Sequence, residues 1–320
     1  MSSEYIIGSF NLRDFNLSTQ STDDSGDKIK RDYERIAKII RRENFDVIAL
    51  QEINSKTALN YLLKVINRYK TPLREYASEF GENMQRPASS RDPERYAFIW
   101  NVKRLRLIEN ARGGNPRYYY HAGALGLIRP PYFARFTARG LPGGANFELR
   151  LVNTHIKFGA SEAERLNEFN TLVRQVLPRI CDLQELSDSG EHMPAYTFLL
   201  GDFNLELNKS ERSIYRIEAV TETDYTGRHR GFRTVQEEKT SLKQVSAATL
   251  SQTVADCYAH NFDHFTYDTE LDGELRLVPQ RVEALSKYFP ERTEAQDKLS
   301  AYRSAVSDHV PIKLTVRFPQ

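Results

Sequence analysis

The stretch Thr197-Phe-Leu-Leu-Gly-Asp-Phe-Asn204 reads as a short apolar strand that stops at Gly201 and releases Asp202 and Asn204 at its end. Working outward, the same design recurs. Phe147 to Thr154 alternates with a period of two, Phe147, Leu149 and Leu151 on one face, and ends at His155. Phe45 to Leu50 is a buried-strand run closing on Gln51 and Glu52, and Tyr5 to Phe10 closes on Asn11. Asp263 interrupts the aromatic run Asn261-Phe-Asp-His-Phe265, and Asp308-His309 stand just before Pro311 to Phe318. Tyr96 to Trp100 adds a strand. Apolar residues at helical spacing predict helices over Ile29 to Glu43, from Ser55 through Ile66, and over about 161–185. Residues 78–94 and 110–121 read as loops, 122–138 as strand broken by Pro130 and Pro131, and 206–250 carries little pattern.

Many strands follow one another with no helix between them, which excludes a purely alternating parallel sheet. The pattern predicts an α/β (α+β) fold, a four-layer αββα sandwich of two mixed sheets with outer helices. No repeat, low-complexity tract or linker interrupts the 320 residues, so 1–320 reads as a single domain. Two cysteines, Cys181 and Cys257, supply no disulfide framework, and Cys257 reads as a small buried hydrophobe. The opening MSSEYIIGSF has no basic n-region, and no apolar run approaches a membrane span, so the expectation is a cytoplasmic protein without membrane association. The net charge of +2 does not mark a nucleic-acid binder. Between Arg86 and Arg139, however, eleven basic residues face three acidic ones, a local excess able to attract phosphate. Tyr118, Tyr119 and Tyr120 fit rim packing better than base stacking; His229 reads as a solvated loop residue, and His121 carries no assignment.

Carboxylates, amides and histidines at the ends of several strands can converge on one edge of a sandwich. Their oxygens suit Mg²⁺ or Mn²⁺, and the absence of clustered cysteine argues against structural zinc. Taken singly each is weak, since Asp and Asn after a glycine are usually turn formers. It is the ordered series that carries the signal.

That series, SFNLRDF (9–15), DVIALQEI (46–53), PERYAFIW (93–100), LVNTHI (151–156), LLGDFN (199–204), NFDHF (261–265) and SDHVPI (307–312), resembles the successive motifs of the endonuclease/exonuclease/phosphatase superfamily across nearly the whole chain. Among its branches the chain is most similar to the DNase I-like enzymes, through Asn11-Leu12-Arg13, Glu94-Arg95-Tyr96 and Arg129 with Pro131. The resemblance implies a divalent-metal-dependent phosphodiesterase acting on nucleic acid, DNA foremost, as an endonuclease of little sequence specificity. It implies Glu52 as the main metal ligand with Asn11 and Asp308. His309 held by Asp263 and His155 held by Glu94 form the acid–base pair, and the sequence leaves both orders open. Asp202 and Asn204 position water and phosphate or bind a second metal, and Arg13 and Arg129 grip phosphate. Two departures, Asn54 and Asp92, stand where the DNase I-like enzymes carry Arg and Tyr that enter the minor groove, which implies a reduced duplex preference. A phosphatase of inositol phosphates or phospholipids, and a non-catalytic nucleic-acid-binding relative, are the other readings.

Overall fold

A computed structural model describes residues 4–17, 21–22, 28–29, 31–82, 94–108, 115–119, 125–139, 147–159, 161–183, 194–207, 214–217, 230–245 and 251–318. In chain order come β1 (Glu4–Phe15), β2 (Ser21–Thr22), β3 (Lys28–Ile29), α1 (Tyr33–Arg42), β4 (Val47–Ile53), α2 (Lys56–Asn67), β5 (Tyr76–Phe80) and β6 (Ala97–Asn101). There follow β7 (Leu105–Leu107), β8 (Arg117–Tyr118), β9 (Tyr132–Ala138), β10 (Glu148–His155), α3 (Glu162–Thr171), α4 (Leu177–Cys181), β11 (Ala195–Asp202) and β12 (Ile214–Ile217). The chain closes with β13 (Arg230–Val235), β14 (Asp263–Asp268), β15 (Arg276–Arg281), α5 (Ala284–Tyr288), α6 (Ala295–Ala305) and β16 (Ile312–Arg317).

Fourteen of these strands form two mixed sheets, while β2 pairs with β3 in a two-stranded ribbon. One has six strands in the order β15-β16-β1-β4-β6-β5; the other has eight, β12-β13-β14-β11-β10-β9-β7 with β8 beside β9. Side-chain alternation sorts the apolar residues into three buried layers. Tyr5, Ile7, Val47, Ala49 and Phe98 meet Leu149, Leu151, Phe198, Leu200 and Phe265 between the sheets. The other face of the first sheet, Phe10, Leu12, Ile48, Leu50 and Ile99, takes Ile36, Ile39 and Ile40 of α1, Leu62 of α2 and Leu299 of α6. The other face of the second sheet, with Phe133, Val152, Leu199 and Phe232, takes Phe169, Val173 and Val176. The architecture is therefore the αββα sandwich expected from the strand pattern.

The helices begin where capping side chains allow. Asp32 accepts the Arg35 amide (2.9 Å) and so starts α1 four residues after Ile29. Ser55 accepts the Ala58 amide, and Ser161 with Glu164 closes a capping box on α3. The helix expected over 161–185 is not continuous: Leu172–Val176 is a π-helical turn between α3 and α4. Pro178 lacks the N–H that would continue an α-helical ladder, and the turn before it widens so that the Leu177 amide reaches back to Leu172 O. The expected loop at 78–94 begins instead with edge strand β5, and 110–121 contains β8. The sequence reading passed over β15, α5 and α6; β15 is an edge strand containing Pro279, with a half-exposed and exposed alternation.

Gly201 has a structural duty within its motif. It sits at φ 148° opposite Thr154, and a Cβ there would lie 1.8 Å from Thr154 O. Gly201→Ala should therefore lower stability by about 2 kcal/mol or more, read as a shift in the denaturant midpoint. A midpoint unchanged from the parent chain would contradict the close strand approach.

Candidate active site

The strand directions bring one end of each inter-sheet row to the same mouth. β1 runs parallel to β4, and β10 parallel to β11. β14 runs antiparallel to β11, so its first residue, Asp263, pairs with the last of β11, Asp202, which in turn pairs with His155. Along these rows apolar side chains give way to polar ones. Tyr5 and Ile7 lead to Ser9 and Asn11, Val47 and Ala49 to Gln51, Leu149 and Leu151 to Asn153 and His155, and Phe198 and Leu200 to Asp202. Beneath the mouth, Gln51 Nε2 donates to Asn153 Oδ1 (2.7 Å) and Ser9 Oγ (3.1 Å). Asn153 Nδ2 donates back to Leu50 O (3.0 Å), so this buried layer is satisfied and ties the sheets together. Gln51, Asn153 and Ser9 form a unit that no sequence motif marks; their shared face with Asn11 and His155 is the signal available in the strands.

Four non-glycine residues at the mouth have left-handed backbones: Arg13 (φ 41°), Asp14 (47°), Glu52 (58°) and Asn204 (50°). Such conformations cost energy and persist where the surroundings over-determine them. At Glu52 the effect is plain. The left-handed residue breaks the alternation of β4, returns Ile53 to the helix-side core, and leaves the carboxylate at the mouth. There it accepts Asn11 Nδ2 (2.8 Å) and the Asp14 amide (3.0 Å), and burial pushes its carboxyl up to about 7.

Two histidine–carboxylate pairs face each other across the slot. His155 Nδ1 bonds Glu94 Oε1, while the His155 amide donates to the Tyr96 hydroxyl (3.0 Å). His309 Nδ1 lies 2.7 Å from Asp263 Oδ2, and its amide donates to Ser307 Oγ (3.2 Å), whose hydroxyl donates to Asn11 O (2.7 Å). Both Nε2 atoms lie 3.5 Å from the same atom, Asp202 Oδ2, which also accepts Asn11 Nδ2 (3.0 Å). Asp202 Oδ1 accepts the Asn204 amide (2.9 Å), and Asn204 Nδ2 lies 3.1 Å from His155 Nε2. Burial disfavours the charged form of each imidazole, but the carboxylates outweigh it: Glu94 lifts His155 to about 9, and Asp263 with Asp202 lifts His309 well above its ordinary value.

All eleven residues singled out from the sequence lie at this mouth; most of them line a cavity of about 820 Å³, with Asn11 and Asp263 just behind. Their pairings add detail. Arg129 Nη2 bonds the second Glu94 oxygen (2.7 Å), so one carboxylate holds both His155 and Arg129. Arg13 Nε lies 3.4 Å from Asp308 Oδ2. Burial would raise Asp308, but His309, Arg13 and Arg303 outweigh it and hold its carboxyl low. Arg31 and Arg303, absent from the sequence reading, buttress the same corner: Arg31 Nη2 donates to Arg13 O (2.5 Å) and Arg303 Nη1 to Leu242 O (2.9 Å).

The donor set suits a hard divalent cation. Ligand atoms of Asp202, Asp263 and His309, all buried, lie within 4.8 Å of one another. Asp263 Oδ1 is buried and accepts no hydrogen bond, an oxygen that a cation or its water shell would satisfy. Among the residues expected to ligate, Glu52 and Asp308 direct carboxylates at the mouth, whereas Asn11 turns Nδ2 toward the carboxylates and gives Oδ1 to the Arg13 amide (2.8 Å).

Among the described residues of 86–139, several of the basic side chains are held by partners. Arg135 is buried against Glu148, Arg104 pairs with Asp46 and Lys103 with Glu75; among the described residues of that run, Arg129 lines the cavity. Arg86, Arg91, Asp92, Arg112, Tyr120, His121 and His229 lie outside the described residues. Asn54 donates to Asp14 Oδ1 (3.2 Å), and Tyr118 is buried, its hydroxyl donating to Gly81 O (2.9 Å). Cys257 is likewise buried.

Solved structures place this architecture in a known class. The chain superposes on D. rerio TDP2, humanised by 14 mutations, with 15% identity over 98% of this chain and 99% of that one (TM-score 0.53). D. rerio TDP2 has also been solved with a single-strand DNA product. ANGEL2, described as a 2′,3′-cyclic phosphatase and solved with adenosine-2′,3′-vanadate, matches at 14% identity over 98% and 96% (TM-score 0.52). An endonuclease/exonuclease/phosphatase family protein from Bacteroides thetaiotaomicron matches at 14% over the full length of both (TM-score 0.50). No protein-family model and no curated protein sequence matches the chain. The fold is that of the endonuclease/exonuclease/phosphatase superfamily.

The charge on Glu94 should be legible in solution. His155 is raised from 6.5 to about 9, so its contribution to stability is fully present below pH 6.5 and is lost as pH rises toward 9. Glu94→Gln keeps an acceptor but removes the charge, and burial then dominates. NMR titration of the metal-free protein should show the His155 pKa falling below its ordinary value in this variant. An unchanged pKa would contradict the pairing.

Proposed function

We propose that this chain is a divalent-metal-dependent phosphoesterase that hydrolyses phosphodiester bonds of nucleic acid, DNA foremost, with little dependence on base sequence. The observation that carries the reading is the pair of imidazoles, each anchored through Nδ1 by a buried carboxylate and each presenting Nε2 to one oxygen of Asp202. A phosphodiester anion repels a nucleophile. Its cleavage needs one group to take a proton from water, another to protonate the leaving oxygen, and positive charge on the phosphoryl oxygens.

His309, oriented by Asp263, takes the proton from water. His155, oriented by Glu94, gives a proton to the leaving oxygen. Asp202 and Asn204 hold the attacking water and phosphoryl group between the two rings. Glu52 with Asp308 is the first donor set for Mg²⁺ or Mn²⁺, Asn11 orienting Glu52 through Nδ2 rather than ligating, and Asp202 with Asp263 is the second. The bound cation supplies neutralisation of the phosphoryl charge. Arg13 and Arg129 grip the flanking phosphates. Asn54, tied to Asp14, cannot replace an arginine reaching into the minor groove, which favours single-stranded or distorted sites over intact duplex.

Excess chelator should abolish hydrolysis of supercoiled plasmid and single-stranded circular DNA, and added Mg²⁺ or Mn²⁺ should restore it. His155→Ala and His309→Ala should each lower turnover about 10²-fold or more. Wild-type rates in either variant would contradict the acid–base pair. Phosphate release from an inositol phosphate, with no cleavage of either DNA, would make the protein a phosphatase of the same fold.

A further inference from the structure

The cavity of about 820 Å³ is larger than one phosphoryl group needs, and two aromatic features on it are unexplained by the hydrolytic groups. His260 and Phe262 both line it, their rings stacked in parallel at 4.7 Å between centroids and 12° between planes. The His260 side chain remains 53% exposed. Its ring is set by Nδ1 against Glu206 Oε1 (3.2 Å). The backbone beneath is fixed as well. The His260 amide donates to Ser241 Oγ (3.1 Å), its carbonyl accepts the Thr240 amide (2.7 Å), and the Phe262 carbonyl accepts the Phe203 amide (2.8 Å). The next residue, Asp263, anchors His309, so a flat, rigid, half-solvated stack directly adjoins one hydrolytic pair. Phe158, three residues after His155, lines the same cavity and is 66% exposed. Lys157 and Lys243 line it as well.

We infer that the His260–Phe262 stack, with Phe158, is a binding platform for an unstacked nucleobase tethered to the phosphate that is hydrolysed. A planar π-system joined covalently to phosphates is the ligand that would use rings and lysines around one phosphoryl-binding centre. In an intact duplex the faces of a base are covered by its neighbours, so the platform selects single strands, ends or unpaired sites. The inference rests on the phosphoesterase reading and names its substrate class.

Binding separates the two. Fluorescence anisotropy on the His309→Ala chain in Mg²⁺, at fixed salt, compares a labelled oligothymidylate with an abasic oligodeoxynucleotide of equal length. The base-bearing strand should bind about fivefold or more tightly, as expected of stacking. Adding His260→Ala should erase most of that preference and leave the abasic strand's affinity within about twofold, because phosphate contacts are untouched. His260→Phe should retain the preference, since a ring remains. Equal losses on both strands, no loss on either, or a lost preference in His260→Phe would overturn the platform. Rapid turnover by the His309→Ala chain would instead contradict the acid–base assignment and leave the base preference readable on single-strand binding in chelator.

Discussion

Asp202 Oδ2 is the point on which the site is organised. It sits at the end of β11, accepts Asn11 from the first sheet, and lies between the Nε2 atoms of His155 and His309. That position requires two registers at once: Thr154 opposite Gly201, so that His155 falls beside Asp202, and Asp202 opposite Asp263. A slip of one residue in β11 would turn Asp202 toward the helix layer and bring Gly201 or Phe203 into the slot. The packing of Phe198 and Leu200 between the sheets, and Gly201's close approach to Thr154, are therefore conditions for the site as well as for the fold.

The same geometry concentrates charge out of water. Glu52, Glu94, Asp202, Asp263 and Asp308 crowd one mouth, and burying them unpaired would be prohibitive. Compensation is local: Glu94 is shared between His155 and Arg129, Asp263 holds His309, and Asp308 faces Arg13. Glu52 is the exception; its partners are an amide side chain and a backbone N–H, and burial carries its carboxyl to about 7. A carboxylate left so short of positive charge is the natural first point of contact for a divalent cation, which agrees with the proposed metal dependence.

Much of this was legible because strand ends are local signals. Each apolar run was bounded or interrupted by a polar residue, and Asn11, Glu52, His155, Asp202, Asn204, Asp263, Asp308 and His309 all emerge that way. Glu94 and Arg129 came only through the resemblance, since neither follows an apolar strand. What stayed hidden depends on contacts between distant segments. Gln51 and Asn153 look like ordinary strand polarity until the two sheets close on them. Arg31 and Arg303 gain meaning only where α6 meets the left-handed turn at Arg13. Summed charge over 86–139 also leaves out partners outside the run, such as Glu148 for Arg135 and Asp46 for Arg104. The π-helical turn before Pro178 escaped because the apolar stripe of 161–185 continues through it.

In the proposed hydrolysis, one carboxylate, Asp202, serves both imidazoles at once. Asp202→Asn, isosteric but neutral, tests it most directly through turnover of single-stranded DNA in saturating Mg²⁺, beside an unfolding curve on the same sample. A fall of about 10²-fold or more is expected, with cooperative unfolding retained. Turnover within about threefold of the parent chain, on a folded variant, would contradict it.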